Sequence, residues 1–481
     1  MFNRTTNRFA VERRPCRSAV LPSVLLLFLI GTLKAEEPYA ALINPAEPQP
    51  TSIERLPPPN LPGLTLSGLT LGDLEQMAVG GNPALARARA LVGAARGEWV
   101  QSGLLPNPSV GYDGQQLGSG GLAEQHGIAF SQEIPTGGKL RLNRAVADRS
   151  VLIAQQELEG LRQRVLTDVR VAYYQVLVAQ LQVNLAEEII RVSAEGTSAV
   201  DALYRAREVG RVDVLQAQLE SEQALIQKQA ASNRYESAWR GLTAVIGNPS
   251  LALQPLLGDP DSQSNEIEFE RALTRLQTSS PEVGAAVAEV ERARFALDRA
   301  RAQRIPNVSF QGLVNVVDNG IGGGTDGGVA ITMPIPLFDR NQGGIARAEC
   351  EVLAARQAVS QLTLDLQQRL APIYETYTTS RSQVERHRAT ILTAASESLA
   401  LTRKNYEAGE SGYLSLLTAQ RTFAQTNSNY LDAVLRLRTA EAEIEGLLLS
   451  GSLRYAAPDV PSQTGPTNLS RNSPPSNLLG R

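Results

Sequence analysis

From Thr136 to Asn248 the chain runs without a proline, and apolar residues recur through this stretch at helical spacings of three and four. Leu166, Val169, Tyr173, Val176, Val183 and Ile190 keep that spacing with one gap at Gln180, while Leu177, Leu181 and Leu185 form a second stripe beside it. The pattern predicts one helix over Lys139–Glu208. At 1.5 Å per residue it would rise about 105 Å, far beyond the usual three or four turns. Two adjacent apolar stripes call for a neighbour on each side; a two-stranded antiparallel coiled coil is the simpler structure with the same period. From Leu337 to Ala457 the pattern returns with Pro372 as the sole proline, which predicts an interrupted and bent helix there.

Between helical stretches the period changes from three or four to two. Val308, Phe310, Gly312, Val314 and Val316 alternate with Ser309, Gln311 and Asn315, and Val329, Ile331, Met333 and Ile335 form a similar series. Strands are predicted over Pro108–Leu117, His126–Pro135, Asn307–Val316 and Gly327–Pro336. Each is about ten residues, the length of a tilted membrane-spanning strand. The connectors Gly118–Gln125 and Val317–Asp326 are rich in Gly, Ser and Asp, as hairpin loops are. The run Asn319–Gly324 lacks the following helix and the lysine of a phosphate-binding loop. Two hairpins of a soluble sandwich would alternate in the same way. In lipid, four strands are too few to close a barrel, and an open edge leaves backbone groups unpaired at about several kcal/mol each. A membrane sheet of this size must therefore be completed by other subunits.

The two halves repeat one another at a spacing of about 200 residues. Asn82-Pro83 answers to Ser280-Pro281, Leu105-Pro106-Asn107 to Ile305-Pro306-Asn307, and Ile134-Pro135 to Ile335-Pro336. Tyr204 and Asp213–Gln218 answer to Tyr406 and Ser415–Gln420 at one constant offset. Each repeat reads as short helix, two strands, very long helix, turn and helix.

The ends of the chain differ in kind. Arg4, Arg8, Arg13, Arg14 and Arg17 precede the apolar run Ala19–Leu33, the order of a secretory signal. At about 15 residues the run is short of a spanning helix, which predicts cleavage near Ala35. Leu33, three positions ahead of that cut, is larger than the small residue usual there. The predicted organisation is a signal peptide over 1–35, a Pro-rich linker over 36–63, repeats over 64–258 and 259–455, and a disordered tail over 456–481. Losing residues 1–35 removes six positive charges and Glu12, so the formal charge moves from −3 to −8. An acidic exported protein is a poor nucleic-acid binder.

Candidate chemistry is sparse. The chain has two His (His126, His387), two Cys (Cys16, Cys350) and three Met, and aromatic residues make up 5%. Cys16 lies ahead of the apolar run and Cys350 stands alone, so no internal disulfide is expected in the mature chain. Neither a nucleophile elbow nor a metal-binding His cluster is present in the sequence, which points away from an enzyme and from any catalytic, cofactor or resident metal site.

Leu105-Pro106-Asn107-Pro108, Gln132–Lys139, Pro334–Gly343 (Pro-Ile-Pro-Leu-Phe-Asp-Arg-Asn-Gln-Gly) and the paired segments around Gly210 and Gly409 resemble the TolC-type outer-membrane factors, and within them the CzcC-like heavy-metal subgroup. The resemblance covers roughly residues 66–450. It implies a mainly α, internally duplicated TolC-like fold with four transmembrane strands per subunit. Three subunits would complete a 12-stranded outer-membrane barrel that continues into a periplasmic helical cylinder. It also implies no cofactor, and as partners two further copies of the chain, a periplasmic adaptor and an inner-membrane RND-type pump. The tips expected to dock the adaptor are Val209, Gly210 and Arg211 in the first repeat and Gly409, Glu410, Ser411 and Gly412 in the second. The family often carries two acids in the second-repeat tip; here Ser415 and Thr418 stand at those positions, leaving Asp213 and Glu410 as substitute lumen candidates.

The subgroup resemblance implies an efflux duct for heavy-metal cations, with drug efflux and type I protein secretion as alternatives because the same duct serves all three. A periplasmic coiled-coil adaptor is an alternative of another class. It would show a single helical hairpin between soluble β-domains, against the duplication and the two strand pairs.

Overall fold

The computed structural model describes residues 68–115, 125–262, 266–318 and 324–454. The signal, the Pro-rich linker, the C-terminal tail and most of both hairpin connectors lie outside the described residues.

In the first repeat, α1 (Leu71–Gly81) and α2 (Pro83–Ser102) lead into β1 (Ser109–Gln115) and β2 (Gln125–Ile134), then α3 (Lys139–Arg205) and α4 (Arg211–Ile246). The second repeat follows the same order with α5 (Phe269–Ser279), α6 (Pro281–Ala302), β3 (Val308–Asp318), β4 (Asp326–Thr332), α7 (Gln342–Arg386), α8 (Leu392–Glu407) and α9 (Tyr413–Glu445). A single short helix was expected ahead of each strand pair, and there are two. Asn82 and Ser280 divide them by capping α2 and α6, accepting from the N–H groups of Ala84 at 2.9 Å and Glu282 at 3.3 Å, with a proline at the first helical position in each case. The Asn82 amide also donates to Val245 O at 2.8 Å, tying this break to the end of α4.

Helix α3 has 67 residues, a rise of about 100 Å. It packs against α2, α4, α6 and α9, which supplies the neighbours on both sides that its two stripes require. Val165, Val169, Tyr173, Val176 and Leu177 are buried with Leu242, Trp239 and Ile246 of α4 and with Leu74 and Leu85 of α1 and α2. The gap at Gln180 has a local reason. Its side-chain oxygen accepts from Leu256 N at 3.2 Å, and Tyr173 OH donates to Leu257 O at 2.7 Å, so the strand-like segment leaving α4 is fastened across α3. A second core joins α5, α7 and α9 through Leu276, Leu370, Tyr377, Val434 and Ile444.

Pro372 does not interrupt its helix. The chain is helical through it, and Pro372 and Gln368 are both exposed, so the carbonyl left without its usual N–H partner can turn to solvent. The irregularity falls later, as a π turn over His387–Ile391 between α7 and α8. It faces the inter-repeat segment, where Arg388 holds Asp261 through both its side chain and its backbone carbonyl.

The strands form one antiparallel sheet in the order β1-β2-β3-β4. The fourth is shorter than expected and ends at Thr332, because Pro334 and Pro336 have no N–H to continue the ladder.

Candidate functional site

Two regions carry the features expected of a function: the sheet at one end and the helix turns at the other. In the sheet, register fixes which side chains share a face. Val110 is opposite Phe130, Tyr112 opposite Ile128, Ile128 opposite Val314, and Phe310 opposite Ile331. These residues form one apolar face that the single chain leaves largely exposed. Ser109, Gly111, Asp113, Ser131, Ser309, Gln311 and Thr332 make the other, polar or small face. Tyr112 and His126 sit together near the far end of the apolar face, with a 2.6 Å contact between the phenol oxygen and Nδ1. Among the described residues, both β1 and β4 have one edge without a partner strand. An exposed apolar face marks an interaction surface, and an open strand edge can pair with a further strand.

The sheet is anchored to the helices at the corners that stood out in the sequence. Lys139, buried at the start of α3, donates from Nζ to Ile305 O at 2.6 Å and to Asn307 Oδ1 at 2.5 Å. Asn307 Nδ2 donates in turn to Glu133 Oε1 at 2.6 Å, and Thr136 Oγ1 donates to Pro306 O. Burial lowers the Lys139 pKa, and the neighbouring Glu133 carboxylate acts in the opposite direction. The Pro-Thr-Gly-Gly-Lys corner of the first repeat is therefore a clamp on the Ile-Pro-Asn corner of the second.

At the opposite end both helical hairpins reverse and share one small core. Val200, Ala217, Tyr406, Tyr413, Leu416 and Leu417 are buried together, and Val209 packs against them. Each reversal is a Schellman cap. In the first, Glu208 N donates to Leu203 O at 2.9 Å and Arg207 N to Tyr204 O at 3.0 Å; in the second, Glu410 N donates to Asn405 O at 2.8 Å and Gly409 N to Tyr406 O at 3.0 Å. The left-handed residue is Gly409 (φ 76°) in one and Arg207 (φ 62°) in the other. Gly210 and Gly412 instead have φ −85° and −77° as extended N-caps, a conformation open to any residue, so only Gly409 of the three tip glycines uses glycine's freedom at positive φ.

Of the tip candidates, Gly210, Arg211, Gly409, Glu410 and Gly412 are exposed, while Val209 and Ser411 are half-buried. Asp213 is half-buried and occupied, with its Oδ2 accepting from Gly210 N at 3.2 Å. Ser415 and Thr418 lie exposed on the first turns of α9, where the Thr418 hydroxyl donates to Leu414 O at 2.7 Å.

Sequence reasoning missed the groups that join the two hairpins. Glu220 of α4 pairs with Arg421 of α9 at 2.7 Å. Glu195 of α3 pairs with Arg403 of α8 and, at 2.8 Å, with Arg191. Tyr406 and Tyr413 meet edge to face with centroids 5.9 Å apart. Burial, with Glu220 second, pushes the Tyr413 phenol up to about 12; burial and Asp213 raise Tyr406. Tyr406 was visible only as a repeat landmark. Its counterpart Tyr204 is 44% exposed while Tyr406 is 2% exposed, an asymmetry that the matching letters hide.

Among the described residues no cluster of three or more His, Cys, Asp or Glu could hold a metal ion, and no helix is long and apolar enough to cross a membrane. His126 lies in β2, His387 in the π turn, and Cys350 exposed on α7.

The chain is 26% identical over 397 residues to the cobalt-zinc-cadmium resistance protein CzcC of Cupriavidus metallidurans, covering 81% of this chain and 92% of that one. It is 28% identical over 301 residues to the nickel-cobalt-cadmium resistance protein NccC of Alcaligenes xylosoxydans xylosoxydans, covering 61% of this chain and 66% of that one. Its fold matches the crystal structure of CusC with a TM-score of 0.67 at 18% identity, over 79% of this chain and 92% of that one. The TolC-like fold and the CzcC-like resemblance read from the sequence motifs both hold. The model of the family described as outer membrane efflux protein matches residues 74–248 and again 272–448, once in each repeat, and the chain belongs to that family.

Proposed function

We propose that this chain is the outer-membrane channel subunit of a tripartite heavy-metal efflux system. Three copies form a passive duct whose strands cross the outer membrane and whose helices stand in the periplasm. A periplasmic adaptor couples it to an inner-membrane pump that supplies the energy. The observation that carries this reading is the four-stranded sheet, apolar on one face, polar on the other and open at both edges, set above two long helical hairpins. The polar face lines a water-filled path and the apolar face meets lipid. As a passive duct the chain has no reaction of its own.

Metal cations as cargo follow from the likeness to CzcC and NccC, whose names state the metals they confer resistance to. Such a duct need not bind what it passes, and a transition-metal site wants several soft or imidazole ligands converging. Deleting the gene should lower tolerance to zinc, cobalt or cadmium, while calorimetry of the purified protein with the same ions should show no stoichiometric micromolar binding. Normal metal tolerance with new sensitivity to organic toxins would move the chain to the drug-efflux branch of the family.

The adaptor docks at the paired turns, through Val209, Gly210 and Arg211 and through Gly409, Glu410, Ser411 and Gly412, with Asp213, Glu410, Ser415 and Thr418 nearest the constriction. Gly409→Val forces a β-branched residue to positive φ, at a cost of about 1–3 kcal/mol, and should weaken adaptor crosslinking in assembled channels. A Cβ added at Gly412 meets no atom within 4 Å and the residue has negative φ, so Gly412→Val should alter the turn far less. Unchanged crosslinking in Gly409→Val would remove the second-repeat turn from the docking surface.

A further inference from the structure

The internal duplication carries more than a count of elements. Adding 200 to β1 positions and 201 to β2 positions reproduces the second hairpin: Ser109 opposite Ser131 becomes Ser309 opposite Thr332, which is the register observed. The same offsets carry the corner motifs, Leu105-Pro106-Asn107 onto Ile305-Pro306-Asn307 and Ile134-Pro135 onto Ile335-Pro336. Within the chain, the first repeat is joined to the second by the β2–β3 pairing and by the Lys139 clamp. Among the described residues the outer edges of β4 and β1 carry no partner strand.

We propose that β4 of one copy pairs antiparallel with β1 of the next in the register obtained by carrying the β2–β3 joint through these offsets, with Thr332 opposite Gly111 and Ala330 opposite Asp113. This rests on the trimeric reading above and specifies its interface. The observed partners Ser131 and Gln311 map to Thr332 and Gly111, Phe130 and Gly312 to Ile331 and Tyr112, and Gln132 and Phe310 to Met333 and Val110. The offsets follow from the corner motifs and the hairpin registers, neither of which depends on polarity across the outer edges. Even so, the resulting joint sets Ile331 beside Tyr112 and Met333 beside Val110 on the apolar face, and Thr332 beside Gly111 on the polar one. A slip of one residue would reverse that match along the whole strand.

The corners follow the strands. Lys139 maps to Arg340, and its partners Ile305 and Asn307 map to Leu105 and Asn107. Arg340 is exposed, its Nε donating to Pro336 O at 3.3 Å within its own turn. Gly137, where an added Cβ would lie 3.0 Å from Ile305 Cδ1, maps to Phe338, which is 91% exposed in the single chain. Phe338 thereby covers Leu105 of the neighbouring copy, and Arg340 reaches its Asn107. This gives the Pro-Leu-Phe-Asp-Arg-Asn run a role between subunits that Pro-Thr-Gly-Gly-Lys plays within one.

The test is cysteine pairing in a Cys350→Ser background. Directly opposed residues in an antiparallel ladder have Cα atoms about 4.5–5.5 Å apart, within disulfide range, whereas positions displaced by two residues are about 7–8 Å apart. Gly111→Cys with Thr332→Cys, and independently Asp113→Cys with Ala330→Cys, should on oxidation shift the subunit band to covalent dimer and trimer on a non-reducing gel. Gly111 has open space where the new side chain begins. The displaced pair Gly111→Cys with Ala330→Cys should remain monomeric on that gel. Light scattering of each unoxidised variant separates the two levels. An intact trimer in which the displaced pair crosslinks, or in which neither predicted pair does, overturns the register alone. A particle that is not a trimer overturns both the register and the reading on which it rests.

Discussion

Arginine at Val329 is expected to abolish assembly in the outer membrane, whereas arginine at Gln311 on the adjacent strand is expected to leave it intact. The two positions differ in face. Val329, at the middle of β4, is opposite Gly312 on the apolar side, and Gln311 is opposite Ala330 on the polar side. A charged residue facing lipid near the middle of a barrel strand costs about 2–4 kcal/mol, and a symmetric trimer carries three of them, so the assembled penalty is about 6–12 kcal/mol. On the lumen side the guanidinium stays hydrated and narrows the path. The check is membrane fractionation of both variants, followed by gel analysis without boiling. Equal assembly of the two variants would mean that the apolar face is not turned to lipid.

The second large effect is expected deep in the helical body. Arg438 of α9 is 5% exposed. It bonds Glu441 at 2.6 Å and Pro260 O at 2.7 Å, donates to Ser262 O, and lies over the Tyr174 ring at 5.9 Å. One guanidinium thus holds the inter-repeat segment onto both repeats. Replacing it with Met removes the charge that Glu441 faces and leaves two backbone carbonyls without their donor. Breaking a buried pair from one side costs about 3–5 kcal/mol, several times the effect of a typical surface ion pair. Arg438→Met should therefore open the chain to protease near Pro260 and lower the temperature at which the assembly dissociates. Arg240→Met, which breaks an exposed pair with Glu236, should do neither. If Arg438→Met kept wild-type protease resistance, the segment would be held by other contacts.

Much of the architecture was legible because its signals are local. The two apolar stripes of α3 marked its length to within a few residues, and the period-two runs placed β3 and β4. Asn82-Pro83 and Ser280-Pro281 marked helix starts, because a capping side chain followed by a proline has few other uses. What escaped was set by tertiary contacts. Gln180 looked like a flaw in a stripe until its bond to Leu256 N was seen. The prolines of the fourth strand shortened it, while Pro372 was harmless on an exposed helix face. At the tip, glycine was a poor guide, since the left-handed turn of the first repeat falls on Arg207 while Gly210 and Gly412 sit in extended caps. The Glu220–Arg421 pair joins residues 201 apart in sequence, which no helical spacing connects, and the Tyr406–Tyr413 contact exists only because the chain reverses between α8 and α9. Lys139 ends the Gln132–Lys139 motif, but only the fold shows that it clamps the other repeat.

The central claim is that one chain supplies a third of a closed membrane sheet. The most direct measurement is the mass of the detergent-extracted particle, by native mass spectrometry or light scattering, alongside its membrane fraction. The account predicts three copies per particle, recovered with the outer membrane. A single copy recovered from the soluble periplasm would contradict it.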